Sequence, residues 1–260
     1  MDYALLPFPT YTRERDYAGR PDLRAALASG ARSVSAGSIS NLELLDHLVE
    51  VLRDLPWKIM VDHCHEQEGS LHVAVLATDL GRSLEKGDEV NAGFFLQNSE
   101  AGRFDTLACA RVFRVACWNG MLLECDEGQS FCVAAGGDRP GAWREKIKEV
   151  VDRSFCGDGI DVDAARFRAT TQQIVMTPYE FLCNLYAQGL ITDDEQHSIQ
   201  RAFDEAADFS MYGVINAVTQ AAHGLRANDR WARAFQIERL GGEILRGDHN
   251  LPAQDPVFSR

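Results

Sequence analysis

No Cys-x-x-Cys pair, no phosphate-binding glycine loop and no long apolar run occurs in this 260-residue chain. Each absence removes a class of function. Without Gly-x-x-x-x-Gly-Lys-Ser/Thr there is no P-loop, and without Gly-x-Gly-x-x-Gly after a strand there is no dinucleotide fingerprint. His-Glu-x-x-His and Gly-x-Ser-x-Gly are missing too, so neither a zincin nor a serine hydrolase elbow is encoded. Acidic residues are plentiful, yet no pair stands out as a general acid/base couple. No cofactor is therefore expected. The longest apolar stretches fall far short of the roughly 20 residues of a membrane helix. The start, Met-Asp-Tyr-Ala-Leu-Leu-Pro, has no basic, apolar leader, so a cytoplasmic protein without membrane partner is expected. The seven cysteines are odd in number and stand singly, which suits reduced thiols.

Negative charge is abundant. The net charge is −13, distributed as −7 over residues 1–100, −1 over 101–160 and −5 over 161–260. Such a balance opposes unspecific binding to a phosphate backbone, which leaves a basic footprint. The least acidic part, 101–160, holds Arg103, Arg111, Arg114, Arg144, Lys146, Lys148 and Arg153.

The hydrophobic pattern changes period twice. Residues 1–38 read as a loosely structured segment with a short helix over Pro21–Ala28. Ser40-Asn-Leu-Glu43 has the form of a capping box, and Leu45, Leu48, Val49 and Leu52 follow at helical spacing, which predicts a helix over 41–54. From Trp57 the period is two. Ile59, Val61, His63 and His65 are expected on one strand face, and Leu71, Val73, Val75 and Ala77 on a face of the next. Strands at about Glu89–Gln97 and Phe104–Trp118 flank a hairpin turn, Asn119-Gly120 reads as a second turn, and Phe131–Ala134 as a last strand. After Pro140 the pattern is helical: Trp143 to Phe155, Val162 to Ile174, a helix capped by Thr177-Pro-Tyr-Glu180, another capped by Thr192-Asp-Asp-Glu195, then Phe209–His223 and Asp229–Leu245 separated by Gly224. The expected fold is α+β: an antiparallel β-meander over about 57–135, one helix before it and a mostly helical C-terminal half, forming a single domain over 39–246 with an extended tail over 247–260.

Few residues carry recognisable chemistry. His63 and His65 would stand roughly 6–7 Å apart on a strand, with His72 on the hairpin partner, a weak set of metal candidates. Cys109, Cys117, Cys125 and Cys132 recur at meander spacing, as core positions or as thiols awaiting a basic neighbour. Arg111 and Arg114 have opposite parity on a strand, so one faces the core and the other is a candidate for anion contact. Trp118 stacks on a base or caps the sheet. The 209–223 helix has an apolar stripe of Met211, Val214, Ile215, Val218 and Ala222. A second stripe of Asn216, Thr219, Gln220 and His223, extended by Arg226, carries hydrogen-bonding groups and no carboxylate. That ridge suits a polar ligand, a nucleic-acid strand or a structural network.

Arg114-Val-Ala-Cys-Trp-Asn-Gly120 and Gly213-Val-Ile-Asn-Ala-Val-Thr-Gln-Ala-Ala-His223 together resemble the phage/plasmid-like "domain of unknown function 932" family. Gly93-Phe-Phe-Leu-Gln-Asn-Ser-Glu100 and Arg239-Leu-Gly-Gly-Glu-Ile-Leu245 fit the same pattern, so the resemblance covers about 90–245. It implies a mobile-element protein. A meander backed by helices is also broadly similar to single-strand annealing proteins, by fold analogy alone. The leading expectation is a non-enzymatic protein that handles single-stranded DNA as a homo-oligomer. The alternatives are an acidic interaction module aimed at a host defence or DNA-binding protein, and a metal- or thiol-dependent enzyme.

Overall fold

The computed structural model describes residues 38–85, 88–114, 119–123, 130–133, 141–175, 177–228 and 230–249. The segment before residue 38, the residues 115–118 that include Trp118, and the tail from residue 250 lie outside them. In chain order the elements are α1 (Asn41–Arg53), β1 (Ile59–Gln67), β2 (Ser70–Glu85), β3 (Asp88–Ser99), β4 (Thr106–Arg114), β5 (Asn119–Leu123), β6 (Ser130–Val133), α2 (Ala142–Ser154), α3 (Gly157–Thr171), α4 (Pro178–Ala187), α5 (Asp193–Ala206), α6 (Met211–Ala227) and α7 (Trp231–Arg246). The α+β architecture is as expected: one helix, an antiparallel sheet in the order β1-β2-β3-β4-β5 with β6 paired to β4, then helices.

The β1–β2 hairpin turns through Glu68 and Gly69, both at positive φ (52° and 84°), between the paired residues Gln67 and Ser70. This two-residue geometry matches the twist of the strands it joins. Val73 and Val75 pair with Leu96 and Phe94 on one face; Ala74 pairs with Phe95 on the other. All six are buried, so the central strands are covered on both faces. Asn119-Gly120 is not a turn: both residues open β5, and the link from β4 falls in 115–118. Gly224 does not separate helices either, since α6 runs through it to Ala227.

The helix starts differ from their sequence signatures. Ser40 makes no side-chain cap; the Asn41 N–H donates instead to Glu100 Oε1 at 2.7 Å, a partner 59 positions away. Thr177 also makes no cap, although Pro178 does occupy the first turn of α4. At α5 the capping box forms: Glu195 N donates to Thr192 Oγ1 (3.3 Å) and Thr192 N to Glu195 Oε2 (2.8 Å). Arg233 grips the same carboxylate through Nε and Nη2 (2.8 and 2.6 Å). Burial acts to raise the Glu195 pKa, but the bonds from Arg233 and Thr192 outweigh it and hold the carboxyl below its ordinary value.

The chain divides into two compact units, one within 1–113 and 123–161, the other within 114–122 and 162–260. In the first, α2 packs on α1, β3 and β6; in the second, α6 packs on α5 and α7.

Candidate functional site

In the first unit the polar chemistry is buried. Val61 pairs with Val75 and His63 with Ala74, so Asp62 is an extra residue, a β-bulge. The bulge reverses the parity of β1, so His63 and His65 do not share a face with Ile59 and Val61 as the period of two predicted. They lie instead on the face of Ala74 and His72, and His65 is directly paired with His72. Across the sheet, Gly93 offers no side chain beside the Cβ of Arg111; a Cβ there would also sit 2.7 Å from the Val75 carbonyl oxygen. Arg111 Nη1 donates to Asp62 Oδ2 at 2.6 Å, and the same oxygen lies 3.0 Å from His63 Nδ1. Arg111 is only 1% exposed. Of the two strand arginines it is the core-facing one, and its position inside the protein rules it out as a contact for an external phosphate.

His72 stacks on Phe104 with ring centroids 5.6 Å apart. Desolvation, helped by the neighbouring His63 and His65, lowers its pKa to about 3. The imidazoles do come together as the sequence suggested. Among the described residues, however, no group of three or more His, Cys, Asp or Glu is arranged to hold a metal ion. Burial also pushes the Cys64 thiol up, away from the thiolate that nucleophilic chemistry needs. Cys109 is buried, while the side chains of Cys117, Cys125 and Cys132 lie outside the described residues.

In the second unit three of the four stretches quoted for the resemblance lie close together; the fourth, Gly93–Glu100, belongs to the first unit. The Arg114 guanidinium lies 4.6 Å over the Tyr212 ring, which in turn meets Phe167 edge-on. A Cβ on Gly242 would fall 2.0 Å from the Leu122 carbonyl oxygen, and one on Gly241 would fall 2.7 Å from Thr219 Cγ2. Strand β5 therefore rests directly on the Gly241-Gly242 step of α7, and Thr219 of α6 fills the adjoining notch. A Cβ on Gly213 would meet the Asp208 carbonyl oxygen at 2.0 Å, so the start of α6 needs a glycine as well. Gly213, Thr219, Gly241 and Gly242, all within those stretches, therefore serve close packing.

The polar ridge of α6 divides accordingly. Thr219 is 2% exposed, and its hydroxyl donates back to the Ile215 and Asn216 carbonyls. Arg226 is buried against Glu238 of α7, which is itself fully buried. Neither is a surface contact. Gln220 and His223 are exposed and Asn216 is half-buried, so the outward line shortens to these three.

A feature not anticipated from the sequence lies on the same unit. Ile174, Tyr179, Tyr186 and Phe209 are 57, 45, 48 and 53% exposed. Tyr179 and Phe209 both pack edge-on against Phe203, and Ile174 is bridged to Ser210, next to Phe209. Tyr179, Cys183 and Tyr186 are spaced i, i+4, i+7 along α4, and all three are exposed. Carboxylates adjoin the patch: Asp204 accepts from the Tyr179 hydroxyl at 2.6 Å and Asp208 accepts from the Ser210 hydroxyl at 2.7 Å, while Glu180 and Glu205, next to Tyr179 and Asp204 in sequence, are exposed. The helical spacing was legible, but spacing alone does not distinguish an outward stripe from a core stripe.

Comparison with protein-family models, with curated proteins and with solved structures finds no match. Among the described residues no helix is long and apolar enough to cross a membrane.

Proposed function

We propose that the protein is a non-enzymatic, cytoplasmic factor of a phage or plasmid that works by docking on a basic, DNA-binding host protein. The observation that carries this reading is the apolar patch of Ile174, Tyr179, Tyr186 and Phe209 with its adjoining carboxylates. Contiguous exposed aromatics beside charge mark association surfaces. These carboxylates and the net charge of −13 complement a basic partner and steer its approach. Many of the surface arginines already hold carboxylates, as in Arg103–Glu68, Arg153–Glu149 and Arg239–Glu243, which leaves little charge for a phosphate backbone. The resemblance to a phage/plasmid-like family supports the setting.

The test uses tagged full-length protein and its Tyr179→Ser/Phe209→Ser variant in host lysate. The wild type is expected to retain a stoichiometric basic partner, released by salt, that the variant loses while keeping its helical circular dichroism. Equal capture by both proteins, or none by the wild type, rejects the reading.

Single-strand DNA handling as a homo-oligomer is the second reading, favoured by the carboxylate-free line of Asn216, Gln220 and His223 on α6. Light scattering with fluorescence anisotropy of a labelled strand decides it. A Gln220→Ala/His223→Ala variant is expected to bind more weakly than an oligomeric wild type, and salt-independent or absent binding removes this reading.

A further inference from the structure

Helices α4 and α5 pack together in the second unit. Tyr179, in the first turn of α4, donates to Asp204 near the end of α5, while Cys183 Sγ accepts from Gln196 Nε2 near the start of α5 at 3.4 Å. The two helices therefore run antiparallel. Their outward seam carries Tyr179, Cys183 and Tyr186 on α4, and Gln196, Gln200 and Asp204 at i, i+4, i+8 on α5. All six are exposed or half-buried.

Charge is nearly absent from this seam, where Asp204 is the one ionised group. Glu180, the single charged residue of α4, stands about 100° round the helix from Tyr179. A chain of net charge −13 repels its own copies over most of its surface. At a seam of tyrosines and glutamines that repulsion is weakest, and the two tyrosines, 45 and 48% exposed, supply apolar contact. Tyr179, Tyr186 and the adjoining Phe209 together present roughly 300 Å2, taking ~200 Å2 for a whole aromatic side chain. A lasting pair needs about 800 Å2 on each side. The exposed Cys183, Asn184 and Ala187 and the two glutamines extend the face toward that size.

The stripe is also its own complement. Tyr179 and Tyr186 lie on either side of Cys183 at nearly equal spacing, so the pattern reads almost the same in both directions. We infer that a second copy of this chain docks on this seam. A twofold axis passes near Cys183, α4 lies antiparallel to its copy, and Tyr179 of each copy meets Tyr186 of the other, as an isologous contact requires. The dimer shares Tyr179 and Tyr186 with the docking patch but does not depend on that reading. Where both hold, the two occupants compete for the same side chains.

Analytical ultracentrifugation of the full chain between roughly 1 and 100 μM tests it, and a monomer–dimer equilibrium is expected. Gln196→Glu/Gln200→Glu, nearly isosteric at half-buried helix positions, gathers like charges at the seam and should weaken the dimer about tenfold or more. Tyr186→Asp gives the same result should that variant fail to fold. Cys156 and Cys183 are the exposed thiols among the described residues. In a Cys156→Ser background a short bismaleimide should link two copies, and Cys183→Ser should abolish the link. A chain monomeric throughout, a dimer unchanged by both seam variants, or a link that is absent or survives Cys183→Ser overturns the inference. Capture from lysate is read separately. The glutamine substitutions leave Tyr179 and Phe209 in place, so a basic partner should still be retained while the dimer is lost, and failure of one reading is distinguishable from failure of the other.

Discussion

Arg111 shows how one residue can be right in sequence and different in role. Parity on a strand says that only one of Arg111 and Arg114 faces inward, but not which. The Asp62 bulge and the missing side chain at Gly93 decide it, by giving the Arg111 guanidinium a carboxylate at 2.6 Å. Removing one partner of a buried pair leaves the other charge stranded. Arg111→Met is therefore expected to cost about 3 kcal/mol in chemical denaturation while leaving any single-strand binding unchanged; stability within ~0.5 kcal/mol of wild type would contradict the assignment. His72 adds a pH dependence. Its folded pKa of about 3 lies below the ordinary 6.5, owing to burial and to His63 and His65, with Asp62 and Arg111 in the same cluster. Between these values the unfolded chain takes up a proton that the folded one refuses, so stability is full above pH 6.5 and falls as pH drops toward 3. His72→Gln should flatten that slope in thermal melts run from pH 7 to pH 4.

At the scale of elements, the connections between them rest on polar groups whose partners are far away in sequence. Asn98 Nδ2 donates to the Ile39 carbonyl and to Asn41 Oδ1 (2.8 and 2.7 Å), and Thr106 Oγ1 donates to Asn98 Oδ1 (2.6 Å). Asn41 and Asn98 are fully buried. This network, with Glu100 capping Asn41, fixes the start of α1 against the β3–β4 hairpin. Asn98 and Glu100 belong to the stretch that carries the resemblance, and their role is structural. Asn98→Ala would leave three buried partners unsatisfied and is expected to lower stability by about 2–4 kcal/mol. On the other unit, Arg226 and Glu238 join α6 to α7. Arg226→Ala alone should destabilise by roughly 3 kcal/mol, whereas Arg226→Met with Glu238→Leu should be close to neutral. A double variant as unstable as the single one would show that packing, and not the stranded charge, sets the cost.

At the scale of the whole molecule, charge and exposure pull in the same direction. An acidic protein whose large exposed side chains cluster among carboxylates is suited to a partner of opposite charge, and salt should weaken that association because those carboxylates lie at the surface. The Tyr179→Ser/Phe209→Ser comparison belongs to this scale, since loss of a partner with folding intact separates the surface from the core beneath it.

The sequence by itself determined the class of fold, the meander, the order of the helices and the core stripe of α6, because period and turn chemistry are local properties. It could not distinguish Ser40 and Thr177, which form no cap, from Thr192, which does, since the partners that decide are remote. It also could not place Thr219 and Arg226 inside or Tyr179 and Phe209 outside. A polar ridge and an aromatic stripe have the same helical spacing in either environment. Only tertiary packing, through the glycine step at 241–242 and the Asp62 bulge, decided which chemistry was buried and which stayed at the surface.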